Sequence, residues 1–291
     1  MTTPSEKKKP RAGGPGSRRV EDEAGLWSFR VYGEADADTA LVLLPAMGVP
    51  SHYYAPLLRA WANDGMAVIL ADFTASQVRP GAATPGQDGY AALVERCFPA
   101  ILGELRDGFP LASPVVVGHS LGGQLGLIAA GHYAPDMAFV LAASGSTGHY
   151  YFRGVRRWAA VPILQAIQLT TRVAGYWPGD RLGFGGRQPA ALIRDWCHTV
   201  RTDRFQAATG SFDYEAALRA YRGDVLAISV ERDSFAPKAA TEALLAKIPN
   251  ARVTRRAYTA SQGTAKPGAH FTWVKDQPGL SRVIADWARS R

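Results

Sequence analysis

The stretch VVVGHSLGGQLGLIAAG, Val115 to Gly131, constrains the fold of this chain more than any other. Three β-branched residues run into Gly-His-Ser-Leu-Gly, and helix formers follow at once. A strand that turns abruptly into a helix needs small residues flanking the corner, because side chains there would collide with neighbouring backbone. Gly118 and Gly122 meet that need around Ser120. Such a corner lifts a serine hydroxyl out of a strained turn, at the end of a sheet and over a helix N-terminus. This is the pattern of a nucleophile elbow. It requires a base elsewhere in the chain, an acid to orient that base, and oxyanion donors.

With 291 residues, 47% of them hydrophobic, the chain is long enough for one large α/β domain or two small ones with a substantial core. Its two cysteines, Cys97 and Cys197, lie far apart and suggest neither a disulfide framework nor a metal site; both are expected in the core or lid. No metal and no cofactor is expected. The net charge of +8 raises the question of a nucleic-acid partner. Residues 1–19, however, hold six basic side chains against Glu6, so five of the eight charges sit there and the remainder is ordinary for a domain of this size. No nucleic acid is expected as a partner. Residues 1–20 are expected to be a disordered basic tail, too poor in apolar surface to fold and without the apolar region of a secretory signal. No stretch reaches the roughly 18 apolar residues of a membrane span, so the expectation is a cytoplasmic protein without integral membrane association.

From Trp27 onward short apolar runs alternate with helical segments, the signature of a mostly parallel sheet flanked by helices. WSFRVYG (27–33) is expected as an early edge strand. ALVLLP (40–45), AVILAD (67–72), VVVG (115–118), AFVLAAS (138–144), VLAISV (225–230) and RVTRRAY (252–258) follow as strands. YYAPLLRAWANDG, GYAALVERCFPAILGELRDG and LGGQLGLIAAGHYA show helical spacing, and LSRVIADWARS is the expected final helix. From Gly145 to Gly223 the alternation breaks. This segment has no convincing strand and is dense in aromatics, as expected for a helical cap over the C-terminal ends of the strands. The expected organisation is a core of residues 21–144 and 224–291 with a cap of residues 145–223.

A serine hydroxyl at neutral pH is a poor nucleophile and needs a neighbouring base, which in turn needs a carboxylate. His270, in GAHFTWVKD, lies in a loop after the last strand, where a base hangs over the strand ends. His52 and His132 sit on or beside expected helices, His149 and His198 in the cap. His119 adjoins the serine but should point away from it, as a structural or pocket-lining residue. For the acid, VLAISVERDSFAP offers Glu231 and Asp233, and Asp233, past the strand end, is the better placed. The order Ser120, Asp233, His270 is the one expected when an elbow serine is the nucleophile. The oxyanion donors are expected to be the backbone N–H groups of Leu121, directly after the serine, and Met47, in the loop after ALVLLP.

With GHSLG, ERDSFAP and GAHF in this order, the chain resembles the α/β-hydrolase superfamily from Trp27 to its C-terminus. The resemblance implies an eight-stranded-type, mostly parallel sheet with a helical cap inserted after the sixth strand. Within the superfamily, the cap and the LLPAMGVPSHYY loop are similar to the monoacylglycerol-lipase and serine-aminopeptidase-like group. The chain departs from the pattern where many members carry His-Gly and it has Pro45 and Ala46, which leaves the bracing of the oxyanion loop open. It departs again at FTASQVRPGAATPGQDGY, where members often show an Arg-Gly-x-Gly-x-Ser turn.

The implied chemistry is hydrolysis of a carboxylic ester, or of a thioester or amide, of a small hydrophobic substrate through an acyl-enzyme on Ser120. His119, Tyr150, Tyr151, Phe152, Trp158 and Phe271 are the expected substrate-binding residues, with Ile163, Leu164, Ile167, Tyr176 and Trp177 lining the pocket or packing the cap. The arginines Arg153, Arg156 and Arg157 meet an acidic group or a membrane surface, or form a solvated helix face. Alternatives are an acyltransferase or other biosynthetic enzyme on the same three residues, and a non-catalytic ligand-binding protein. Epoxide or haloalkane hydrolysis is disfavoured, because those enzymes place an aspartate where this chain has Ser120.

Overall fold

The structure, a computed structural model, describes residues 18–21, 28–71, 89–151, 154–259 and 270–291. Ten strands fall in these segments: β1 (Arg18–Glu21), β2 (Ser28–Tyr32), β3 (Thr39–Leu44), β4 (Ala67–Ala71), β5 (Ser113–His119), β6 (Ala138–Ala142), β7 (Tyr176–Pro178), β8 (Gly186–Pro189), β9 (Asp224–Val230) and β10 (Arg252–Tyr258). The principal helices are α1 (Ser51–Asn63), α2 (Phe98–Gly108), α3 (Leu121–Tyr133), α4 (Val155–Ala174), α5 (Ala190–Thr202), α6 (Tyr214–Ala220), α7 (Lys238–Leu245) and α8 (Arg282–Arg289). A π-helical stretch, Ala92–Cys97, leads into α2.

Eight strands form one sheet in the order β1-β2-β4-β3-β5-β6-β9-β10. β1 and β2, and β2 and β4, pair antiparallel; all further pairs are parallel. β2 is therefore not the edge strand its sequence suggests. The edge is β1, whose Arg18, Arg19 and Val20 belong to the segment expected as tail but pair with Val31, Arg30 and Phe29. Most strands are apolar without a break because both faces of the sheet are covered. Val42, Val116 and Leu141 face the side that holds α2, α3 and α6, while their neighbours Leu41, Val115 and Val140 face α1 and α8. Both cysteines are buried and free.

The order of the strands fixes where a site can form. From β3 the chain steps to β4 on one side and then returns to β5 on the other, so a crevice opens beyond the carboxyl ends of β3 and β5. Such reversals are where open α/β sheets bind ligands, since the connections leave in opposite directions. Ser120 follows β5 at this point, and the loop after β3 starts alongside it.

Residues 145–223, between β6 and β9, leave the sheet. They are not all helical: β7 and β8 form a short antiparallel hairpin, which the sequence reading missed. The excursion carries its own small core of Leu164, Ile167, Trp177, Ile193, Cys197 and Val200. Phe205, Ala207, Tyr214, Leu218 and Tyr221, by contrast, join the core of the main sheet, so the chain is back on the central fold well before Gly223.

Candidate active site

Ser120 has φ 52° and ψ −118°, a conformation rarely adopted outside glycine. The neighbourhood holds it there. Its N–H donates to the Ala142 carbonyl at 3.3 Å, and its own carbonyl accepts from Gly123 N–H at 2.9 Å and Ser144 Oγ at 2.7 Å. The flanking glycines have the role the motif assigns them. A Cβ on Gly122 would strike the Leu44 and Pro45 carbonyls, and one on Gly118 the backbone of Gly123. The elbow is thus wedged between β3 and its own helix.

His270 and Asp233 arrive from opposite ends of the sequence and meet. His270 Nδ1 lies 2.7 Å from Asp233 Oδ2, and both residues are buried. The other carboxylate oxygen, Oδ1, accepts from the N–H groups of Phe235 and Ala236 at 2.8 and 2.9 Å. A carboxylate oxygen accepts, so Nδ1 is the donor of this pair and Nε2 is the ring nitrogen it leaves unengaged. Ser120, His270, Leu121 and Met47 line one cavity of about 410 Å³. Glu231, the alternative acid, is exposed.

The cavity is apolar. Val155, Ala159, Ala160, Ile163 and Leu164 of α4 cover it from one side, Phe184, Trp196 and Val200 from another, and Phe235 and Phe271 flank the histidine. His270 is the one titratable side chain among the described lining residues. Several expected wall residues lie elsewhere. Trp158 is 79% exposed on the outside of α4, Tyr150 is exposed as well, and Tyr151 donates from its hydroxyl to Asp203 Oδ2 at 2.8 Å. Ile167 and Trp177 belong to the core of the excursion. Phe152 falls outside the described residues, as does most of FTASQVRPGAATPGQDGY. Phe271, Ile163 and Leu164 do line the cavity.

His119 is not a wall residue either. It is fully buried and its two ring nitrogens have separate partners, the Tyr54 hydroxyl 2.8 Å from Nδ1 and the His270 carbonyl 3.0 Å from Nε2. A carbonyl only accepts, so Nε2 carries the proton and Nδ1 accepts from Tyr54. Burial, followed by the neighbouring His270, holds His119 well below the usual histidine pKa and keeps it neutral. The Tyr54 oxygen in turn accepts from the Ala46 N–H at 3.0 Å. On the same helix Tyr53 donates to the Phe271 carbonyl at 2.9 Å. Adjacent tyrosines of α1 therefore tie down the loop after β3 at Ala46 and the loop of the base at two successive carbonyls, one of them through His119. This bracing stands where the motif lacked His-Gly. Its signal, SHYY directly after the loop, was in view, but side-chain hydrogen bonds across 65 residues leave no periodicity to read.

The hairpin of the excursion closes over the same loop. Gly48, at φ 72°, packs against the backbone of Gly185 and Gly186 so closely that a Cβ there would collide with Gly185. Phe184 stacks on Phe235 with ring centroids 6.3 Å apart, and Phe235 sits 5.2 Å from the His270 ring.

A reversed strand order with a strained serine at the switch point and a histidine–carboxylate pair beside it defines a class of protein, and residues 41–279 match the model of the alpha/beta hydrolase family. The chain belongs to that family. Solved structures with the same fold include a monoacylglycerol lipase from Paleococcus ferrophilus (15% identity, 91% of this chain and 98% of that one, TM-score 0.59). An esterase from Exiguobacterium antarcticum (13%, 93% and 98%, TM-score 0.56) and a bromoperoxidase from Bacillus anthracis (15%, 94% and 100%, TM-score 0.57) are further examples. At these identities the likeness is one of fold, and the chemistry has to come from the site.

Proposed function

We propose that the protein is a serine hydrolase that cleaves a carboxylic ester of a small, uncharged, largely apolar substrate through an acyl-enzyme. The observation that carries this reading is the buried 2.7 Å contact between His270 Nδ1 and Asp233 Oδ2, set on the same cavity as a serine held at positive φ. Asp233 holds the imidazole in the tautomer that leaves Nε2 basic and stabilises the cation once it forms. Nε2 takes the Ser120 proton as Oγ attacks the ester carbonyl. The N–H groups of Leu121, at the start of α3, and Met47 receive the charge that develops on the carbonyl oxygen. His270 then protonates the departing alcohol, and a water activated by the same nitrogen releases the acid. The excursion acts as a cap: α4, Phe184 and Trp196 give the acyl group an apolar bed, and a charged substrate would leave its ion without a partner there.

The test is a rapid-mixing assay with p-nitrophenyl esters of increasing acyl length on the wild type and Ser120→Ala. A serine-dependent burst followed by steady turnover supports the reading, and the length profile sizes the cavity. A burst without turnover makes the protein an acyltransferase awaiting its acceptor. Equal rates in the two proteins overturn the mechanism.

A further inference from the structure

Helix α4 is apolar on two sides, one buried against the fold and one exposed in the described structure. Leu164 and Ile167 face the core of the excursion, whereas Trp158, Pro162, Ala166, Leu169 and Val173 form a line along the outside, spaced by three or four residues and all exposed. At 1.5 Å per residue this line runs about 22 Å. Trp158, Leu169 and Val173 are 79%, 64% and 81% exposed. The concentration is local: eight of the twelve large hydrophobic residues with exposed side chains, among those described, lie between residues 150 and 182. Isolated surface hydrophobics need no explanation, but a continuous line beside a cavity does.

The charge around the line says what covers it. From Met137 to Pro189 the sequence holds six arginines, one aspartate (Asp180) and no glutamate. Arg156 and Arg157 open α4 and Arg172 closes it, with exposed Arg181 and Arg187 just beyond. A second copy of the chain meeting this face about a two-fold axis would set arginines against arginines. An anionic lipid surface complements them, and a helix with an apolar line, a tryptophan and arginine flanks suits the interfacial layer of a bilayer. No helix among the described residues is long and apolar enough to cross a membrane.

We propose that α4 docks the protein on anionic lipid surfaces, its outward line seated in the interfacial layer and the exposed Arg172, Arg181 and Arg187 on the headgroups. Val155 and Ile163, both exposed and both lining the cavity, then place the cavity mouth at the membrane surface, so an apolar substrate enters from the lipid rather than from water. The inference does not depend on the catalytic reading, because binding is measured without turnover.

The test is co-flotation of the full chain with vesicles of phosphatidylcholine alone and of phosphatidylcholine with about one-third phosphatidylglycerol, at low and high salt. The wild type is expected to float with the anionic vesicles, at least about tenfold more than with the neutral ones, and to be released by salt. Leu169→Glu combined with Val173→Glu, at two exposed positions, is expected to cut that binding about tenfold while the circular dichroism spectrum is unchanged. Absence of flotation overturns the proposal. So does undiminished flotation of the double variant, which a chain lacking residues 1–17 would trace to the basic N-terminal segment. A dimer in light scattering that the double variant splits would assign the face to a second copy instead.

Discussion

The corner around Ser120 and helix α4 both line one cavity and are built on opposite terms. At the corner nearly every group is committed: Gly122 faces carbonyls of β3 and the loop after it, the Ser120 carbonyl has several donors, and His119 spends both nitrogens. On α4 one side closes the cavity and the other is open along most of its length. The difference teaches how the two walls divide the work. One holds Ser120 and its neighbours by backbone contacts and hydrogen bonds, as the proposed acyl transfer would require, while the other presents an exposed apolar line whose proposed role depends more on composition than on fit.

That contrast can be broken or sharpened by substitution. The largest effect is expected for Ser120→Ala, which should lower ester turnover about 10⁴-fold or more with the melting temperature maintained; retained turnover would remove the corner from the chemistry. Gly122→Ala should destabilise the fold by about 2–4 kcal/mol in urea titration, because the colliding atoms are backbone that cannot turn aside. Tyr54→Phe leaves the Ala46 N–H without its acceptor and His119 Nδ1 without its donor. It is expected to lower kcat about 10- to 100-fold with KM within about twofold, since bracing of both loops matters most in the transition state; a change confined to KM would make the tyrosine a binding residue.

A smaller effect concerns pH. Folding depresses the His119 pKa below its ordinary 6.5, so in the window beneath that value the unfolded chain carries a proton that the native one lacks. Stability therefore falls as pH drops through the window, by up to about 1.4 kcal/mol per pH unit from this group. Urea titrations at a series of pH values should show that share of the slope vanish in His119→Gln. On the other wall, Leu169→Gln should change stability by less than about 0.5 kcal/mol, because its side chain is already in solvent. A larger loss would mean that the outer line packs against something in the folded chain.

The corner was legible because local sequence dictates it. Three β-branched residues, glycines on both sides of Ser120 and an apolar helix leave one geometry, and the strands that precede Asp233 and His270 follow from the alternation of short apolar runs with helical segments. The wall was legible in part, since Ile163, Leu164 and Phe271 were among its expected residues, and α4 shows why the rest was not. A helix with apolar residues on both sides has no period that says which side turns inward, so Trp158 was expected in the cavity and Ile163 and Leu164, on other faces of the same helix, supply its lining. The hairpin of β7 and β8 was missed because YWP and GRQP are too short to show alternation, and its strands are defined only by each other. Tyr53 and Tyr54 were read only as the start of a segment with helical spacing, and Tyr54 is indeed buried in the core with Tyr53 packed against it. Their hydroxyl partners are decided by tertiary contact.

The most direct test of the central claim is mass spectrometry of the protein quenched within milliseconds of mixing with p-nitrophenyl butyrate. The account predicts one added butyryl group per chain, mapped to Ser120, absent in Ser120→Ala and slow to form in His270→Ala. An acyl group on any other residue, or turnover with Ser120 never acylated, would contradict it.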